Sequence, residues 1–207
     1  MLYLLEVIII SNELILKELL RSKEEKHILT GKITGIEDEF YKLKNEKISC
    51  AVIWFEDIKI LIPITHLGLS NGNKSTIRGM LGAEIDFIIL EIDKISNIAI
   101  ASRIDAMKIR ANINLPKLKK NDVVKCRIIA VGVKHIIVEL YGKEVIIKAE
   151  DLQHTFIVNC KEIYKVGDSI KVKIKEIDIE NNIFRLSSKE FLDNPYKNIR
   201  KYLEESR

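Results

Sequence analysis

From His27 onward the chain alternates short apolar runs with charges at period two, the pattern of half-buried strands. The clearest run is Ser169 to Asp178, where Ile170, Val172 and Ile174 fall on one side and Lys171, Lys173 and Lys175 on the other. Those three lysines read as the solvated face of a strand. The first 26 residues follow another rhythm. Met1 to Ile10 is apolar apart from Glu6, and Ser11 or Asn12 can cap a helix to about Lys23 with Ile15, Leu16, Leu19 and Leu20 on one face. At the far end, Asn194-Pro195 supplies a cap and a first-turn proline, predicting a helix to about Glu205.

The strand pattern repeats. Leu81-Gly-Ala-Glu-Ile-Asp-Phe-Ile-Ile-Leu-Glu-Ile-Asp93 matches Val166-Gly-Asp-Ser-Ile-Lys-Val-Lys-Ile-Lys-Glu-Ile-Asp178 at an offset of 85 residues. Both runs pass an Asn-containing turn into strands ending Ile100-Ala-Ser-Arg103 and Leu186-Ser-Ser-Lys189, with the first turn read as one residue shorter. The same offset pairs the run from Ile60 to Leu67 with Val145 to Leu152. Further upstream Gly31–Ile36 is matched to Lys125–Ala130, and the first copy carries an extra polar stretch, Glu37 to Lys47. Each copy reads as three strands, a longer connection, then a two-stranded hairpin. Five short strands in so few residues fit a small closed barrel, which leaves no exposed edge. The expected organisation is an N-terminal segment over 1–26, barrels over 27–110 and 121–192, a basic linker over 111–120 and a C-terminal helix over 193–207.

Composition supports this picture and narrows the chemistry. The 207 residues are 47% hydrophobic and 31% charged, with only nine Gly and three Pro, which excludes a disordered or collagen-like chain. Cys50, Cys126 and Cys160 are odd in number and widely spaced, so neither a disulfide framework nor a zinc site is expected. No apolar run reaches the length of a bilayer span, and the N-terminus lacks the cationic start of a signal peptide. A cytoplasmic protein with no membrane partner is the expectation. The net charge is only +4, and nearly all the excess sits in Lys117, Lys119 and Lys120. That linker either tracks a phosphate backbone or acts as a solubilising hinge.

Both copies resemble the S1 domain, the RNA-binding OB-fold module of ribosomal protein S1 and of many RNA-processing factors. The second is the better match: Tyr164-Lys-Val-Gly-Asp168 leads its hairpin, Leu186-Ser-Ser-Lys189 ends it, and Asn194-Pro195-Tyr196 follows. The resemblance implies an all-β protein of two tandem five-stranded OB-fold barrels with a helix at each end. It also implies where RNA would bind: two aromatics on the second strand, a His on the third, and an Asp and Arg around the last hairpin. By position the second copy offers Lys134, Ile137, Lys148, Asp178 and either Asn182 or Ile183. The first offers Ser49, Val52, Pro63, Asp93 and Asn97. Only the aspartates match. Base–aromatic stacking is worth about 1–3 kcal/mol per base, so binding shifts toward phosphate contacts.

The expected role is therefore non-catalytic binding of single-stranded RNA, mainly by the second barrel and the linker. The candidate residues are Lys125, Arg127, Lys134, His135, Lys148, Asp178 and Arg185, with Lys117, Lys119 and Lys120. The alternative is a degenerate pair serving protein interaction or assembly, with the N-terminal apolar segment, Leu2 to Leu20, docking on a barrel, on a partner or on a second copy. Catalysis is not expected. Gly68-Leu-Ser-Asn-Gly72-Asn-Lys74-Ser75 departs from a phosphate loop by an extra Asn, with no helix expected after it. His27, His66, His135 and His154 lack metal-ligand spacing, and no cofactor is expected.

Overall fold

A computed structural model describes residues 2–41, 46–68 and 74–192 of the protein. The expected C-terminal helix, the middle of the Gly68–Ser75 loop and the tip of the Glu37–Lys47 stretch lie outside the described residues. The chain is mostly β and divides into two units, residues 1–109 and 110–207.

The first unit contains α1 (Leu2–Glu25), β1 (Leu29–Tyr41), β2 (Glu46–Phe55), β3 (Ile58–Pro63), α2 (Lys74–Gly79), β4 (Glu84–Asp93) and β5 (Ile98–Ser102), after which α3 (Arg103–Asn114) begins. Its strands close in the order β1-β2-β3-β5-β4, with β3 and β5 parallel and the other pairs antiparallel. This is the OB-fold barrel. Ile33, Ile53, Ile60, Ile62, Ile85 and Phe87 fill it, all essentially without solvent contact.

Helix α1 starts at Leu2, so the apolar opening is helical from the outset. It packs on β4 of its own unit, and Ile15 and Leu16 line a small cavity with Asp57 and Ile58 at the β2–β3 turn. Leu19 is fully buried, and the Ser22 hydroxyl accepts the Ile89 backbone N–H at 3.1 Å. Trp54 faces solvent with the Lys59 ammonium 5.7 Å from its ring centre, and Phe55 is half-buried. The six-residue α2 follows the loop at Gly68, where the sequence pattern gave no helix.

The second unit contains β6 (Val123–Val131), β7 (His135–Leu140), β8 (Lys143–Lys148), α4 (Ala149–Leu152), β9 (Ser169–Asp178) and β10 (Ile183–Ser187). Its sheet runs β10-β9-β6-β7-β8 and, unlike the first, is not closed by a β8–β10 ladder. The two ends are joined instead through α4. The Ser187 hydroxyl donates to the Asp151 carbonyl at 2.8 Å, and the Ser188 hydroxyl to the Leu152 carbonyl at 2.7 Å. The stretch before β6 belongs to this unit's packing: Leu115 is buried in its core, with Ala111 and Leu118 against it.

The offset of 85 is kept from β2–β3 onward. Gly82 and Gly167 both have positive φ, as do Asn97 and Asn182, and Glu56 and Tyr141. Two register details differ from the sequence matching. The last hairpins are equal in length, since Asp93 pairs Ile98 just as Asp178 pairs Ile183, so Arg103 aligns with Ser188. The first strands align at 95 rather than 94, because Ile33 and Ile128 make the same exchange of hydrogen bonds with Ala83 and Gly82, and with Asp168 and Gly167. A slip of one residue would have exchanged the faces of the strand. The ten-residue difference lies in the longer β1–β2 hairpin.

Candidate nucleic-acid interface

The outward face of β7 and β8 pairs His135 with Lys148, Ile137 with Ile146, and Glu139 with Glu144. It is polarised along its length. At one end Glu139 has a side chain only 1% exposed, and Arg127 on β6 reaches it at 2.8 Å. Arg127 is thus committed to a carboxylate within the sheet. The other end is cationic and opens into a groove of about 940 Å³.

Three of the candidate residues meet in that groove: Lys134, His135 and Lys148. Lys134 precedes β7, donates to the Ile157 carbonyl at 3.2 Å, and lies 4.6 Å from the centre of the Phe156 ring. His135 lies flat against Gly132, where a Cβ would approach its ring to 2.7 Å, so the glycine makes room for the imidazole. Lys148 ends β8 and pairs loosely with Glu150 at 3.7 Å, both being well exposed. The opposite wall is the segment after α4. His154, whose Nε2 is 3.0 Å from the Lys189 carbonyl, lies there with Phe156 and Lys189.

The remaining candidates are placed elsewhere. Asp178 holds its own hairpin: it accepts from the Asn181 backbone at 3.0 Å and from its side-chain amide at 2.7 Å. Those bonds, the side-chain amide first, hold its carboxyl below the usual aspartate range. Asp93 does the same for the first unit, accepting from Ile95, Ser96 N–H and the Ser96 hydroxyl. Arg185 is 3.6 Å from Asp151. Lys125 is exposed on β6 opposite Lys171, and Lys117, Lys119 and Lys120 are exposed ahead of β6. The three-lysine face of β9 is partly covered. Glu190 bridges Lys173 at 2.7 Å and also Lys175, while Lys171 stacks on Phe191.

Phe156, His154 and Lys189 were not legible as site residues. Phe156 and His154 lie on irregular chain and Lys189 opens a single 3₁₀ turn, so no periodicity says which way these side chains point; a lone aromatic directly after the polar run Gln153 to Thr155 was the hint.

The equivalent face of the first unit is closed at its centre, with the exposed Trp54 further along it. At the centre Leu61 is 5% exposed and packs with Cys50, Val52 and Ile98, whereas its counterpart Ile146 is 62% exposed. Among the described residues no group of three or more His, Cys, Asp or Glu could hold a metal, and no helix is long and apolar enough to cross a membrane.

Residues 117–189 match the family model of the S1 RNA binding domain. This segment is similar to the S1 domain. Small ribosomal subunit protein bS1 of Staphylococcus aureus strain COL is 26% identical over 92 residues, covering 44% of the chain and 24% of that protein. The bS1 of Staphylococcus epidermidis strain RP62A is 25% identical over 86 residues, covering 42% and 22%. The chain thus spans about a quarter of the length of these relatives. Among solved structures, GSP13 of Bacillus subtilis is 18% identical with a TM-score of 0.33, covering 41% of the chain and 71% of that protein. A multidomain protein with nucleic acid binding domains from Streptococcus pneumoniae is 13% identical with a TM-score of 0.38, covering 89% and 60%. The groove lies within the matched segment, and most of its lining comes from β7, β8 and the segment after α4.

Proposed function

We propose that the protein binds single-stranded RNA without catalysing its reaction, through the groove of the S1-like segment. The observation that carries this reading is the convergence of Lys134, Lys148 and Lys189 around one open groove, with Glu150 the single acidic side chain in its lining. Lysines so placed neutralise phosphates and release counterions, a contribution that does not depend on sequence. The first unit supports a lesser role: Val52 and Leu61 offer no cation or ring at the positions that match the groove, and further along that face Lys59, beside the exposed Trp54, is already paired with Glu37 at 2.8 Å. In the same reading Lys117, Lys119 and Lys120, exposed ahead of β6 and outside the groove, would meet the phosphates of a longer strand. The cytoplasmic location expected from the sequence belongs to the same reading.

Fluorescence anisotropy of a short labelled RNA at several salt concentrations tests it. The double substitution Lys134→Glu with Lys148→Glu is expected to weaken binding. It should also flatten the plot of log affinity against log salt by roughly 1.4, at about 0.7 per phosphate on a single strand. Lys32→Glu with Lys94→Glu changes the net charge equally on the first unit, at exposed positions outside the groove, and should have little effect. Absence of binding at low salt, or equal effects of the two pairs, would favour the protein-interaction role instead.

A further inference from the structure

We propose that Phe156 is the seat for one unpaired nucleobase, which stacks on the open face of its ring while Lys134, Lys148 and Lys189 hold the flanking phosphates. This inference rests on the RNA-binding reading above and names how the groove would engage its ligand.

The ring is 83% exposed, so no packing inside the unit accounts for it. Its backbone, by contrast, is anchored. The next residue, Ile157, is 3% exposed in the core, its carbonyl accepts from Lys134, and the Cys160 N–H bonds the Val133 carbonyl at 2.8 Å. The aromatic is therefore held out over the groove by a segment tied down after it by these contacts and before it by His154 against the Lys189 carbonyl. A base finding it there meets a pre-placed surface and loses little freedom in ordering the loop. The Lys134 ammonium lies over the ring, which makes one seat combining a π-face with a cation.

The sheet itself cannot provide such a surface. Where an S1 domain is expected to carry strand aromatics, this segment has Lys134 and Ile137, and the outward residue opposite Ile137 is Ile146. Phe156, from the far wall, supplies the missing ring. Every base has a π-face, so the seat is tolerant of sequence, but it needs a base free of its partner strand. The ligand class is accordingly unpaired RNA rather than duplex.

The full-length chain is titrated against a labelled oligoadenylate, the corresponding duplex with oligouridylate, and a ribose–phosphate oligomer without bases. The wild type is expected to prefer the single strand to both other probes. Phe156→Ala is expected to lower single-strand affinity roughly tenfold or more, with an unchanged salt slope, and to bind the strand with and without bases equally. Phe156→Tyr should retain affinity, and Phe156→Leu, which keeps bulk but not the π-face, should behave as alanine does. Phe156→Ala binding as tightly as wild type, alongside a weakened Lys134→Glu/Lys148→Glu variant, overturns the seat and leaves the RNA-binding reading standing. No binding of any probe by the wild type at low salt overturns both.

Discussion

The Arg127 guanidinium meets the Glu139 carboxylate at 2.8 Å across the β6–β7 pair, with the glutamate side chain almost wholly removed from solvent. Removing the arginine takes a hydrogen-bonded cation away from a buried carboxylate. Arg127→Ala is expected to destabilise the second unit by about 3 kcal/mol, whereas exchanging both residues for apolar ones of similar volume should cost much less. Denaturant melts measure the difference. In the RNA titration, Arg127→Ala should leave the salt slope unchanged, because this arginine serves the sheet.

Gly31 faces the interior of the first barrel, where a Cβ would lie 2.6 Å from Ile53 Cγ2 and 3.2 Å from Phe87 Cε1. The second unit solves the same position in the opposite way: Cys126 stands where Gly31 does, against the smaller Val138 and Val172. Gly31→Ala is expected to destabilise by about 1–3 kcal/mol, and adding Ile53→Val should recover part of that. Thermal melts of the single and double variants test the compensation.

All three cysteines are buried free thiols. Burial, reinforced by the negative charge of Glu139, pushes the Cys126 thiol up to about 12. The thiolate is the reactive form, so Cys126 should resist alkylation in the native protein even at pH 9 and react at an ordinary rate once unfolded. Mass spectrometry of iodoacetamide-treated protein, with and without denaturant, distinguishes the two. Rapid native labelling of Cys126 would contradict this packing.

Asp178 contributes to stability through its charged form, because its carboxyl is held below the value of about 3.9 that an unfolded aspartate has. The contribution is complete above that value and disappears as pH falls through the lower folded-state pKa. Asp178→Ala is therefore expected to lower the melting midpoint of the second unit at pH 7, with the gap to wild type narrowing in strong acid. Melts across the acid range check the sign.

Much of the fold was readable because its signals are local. Alternation marked β4, β9 and β10, and Gly82/Gly167 and Asn97/Asn182 mark turns that need positive φ. The misalignments came where residue type and residue role part company. Arg103 and Lys189 look alike in sequence, yet the residue that shares Arg103's role is Ser188: Arg103 donates to the Leu67 carbonyl at 2.9 Å as Ser188 does to that of Leu152. For the site, strand positions were enough to single out Lys134, His135 and Lys148, which line one groove. The commitment of Arg127 to Glu139 and of Asp178 to its turn depends on distances that strand parity alone does not give. Phe156 lay beyond reach because irregular chain carries no period.

A closed ring of strands has no end from which to peel, and the first unit is such a ring. The second is a ribbon with two ends, β8 and β10, fastened by a pair of serine hydroxyls on the carbonyls of α4. The Ser188 backbone N–H adds a third bond, to the Asp151 carbonyl at 3.0 Å. Since β8 ends at Lys148 and α4 leads into the wall that carries Phe156, the four residues that fasten the two ends of the ribbon also join the two walls of the groove.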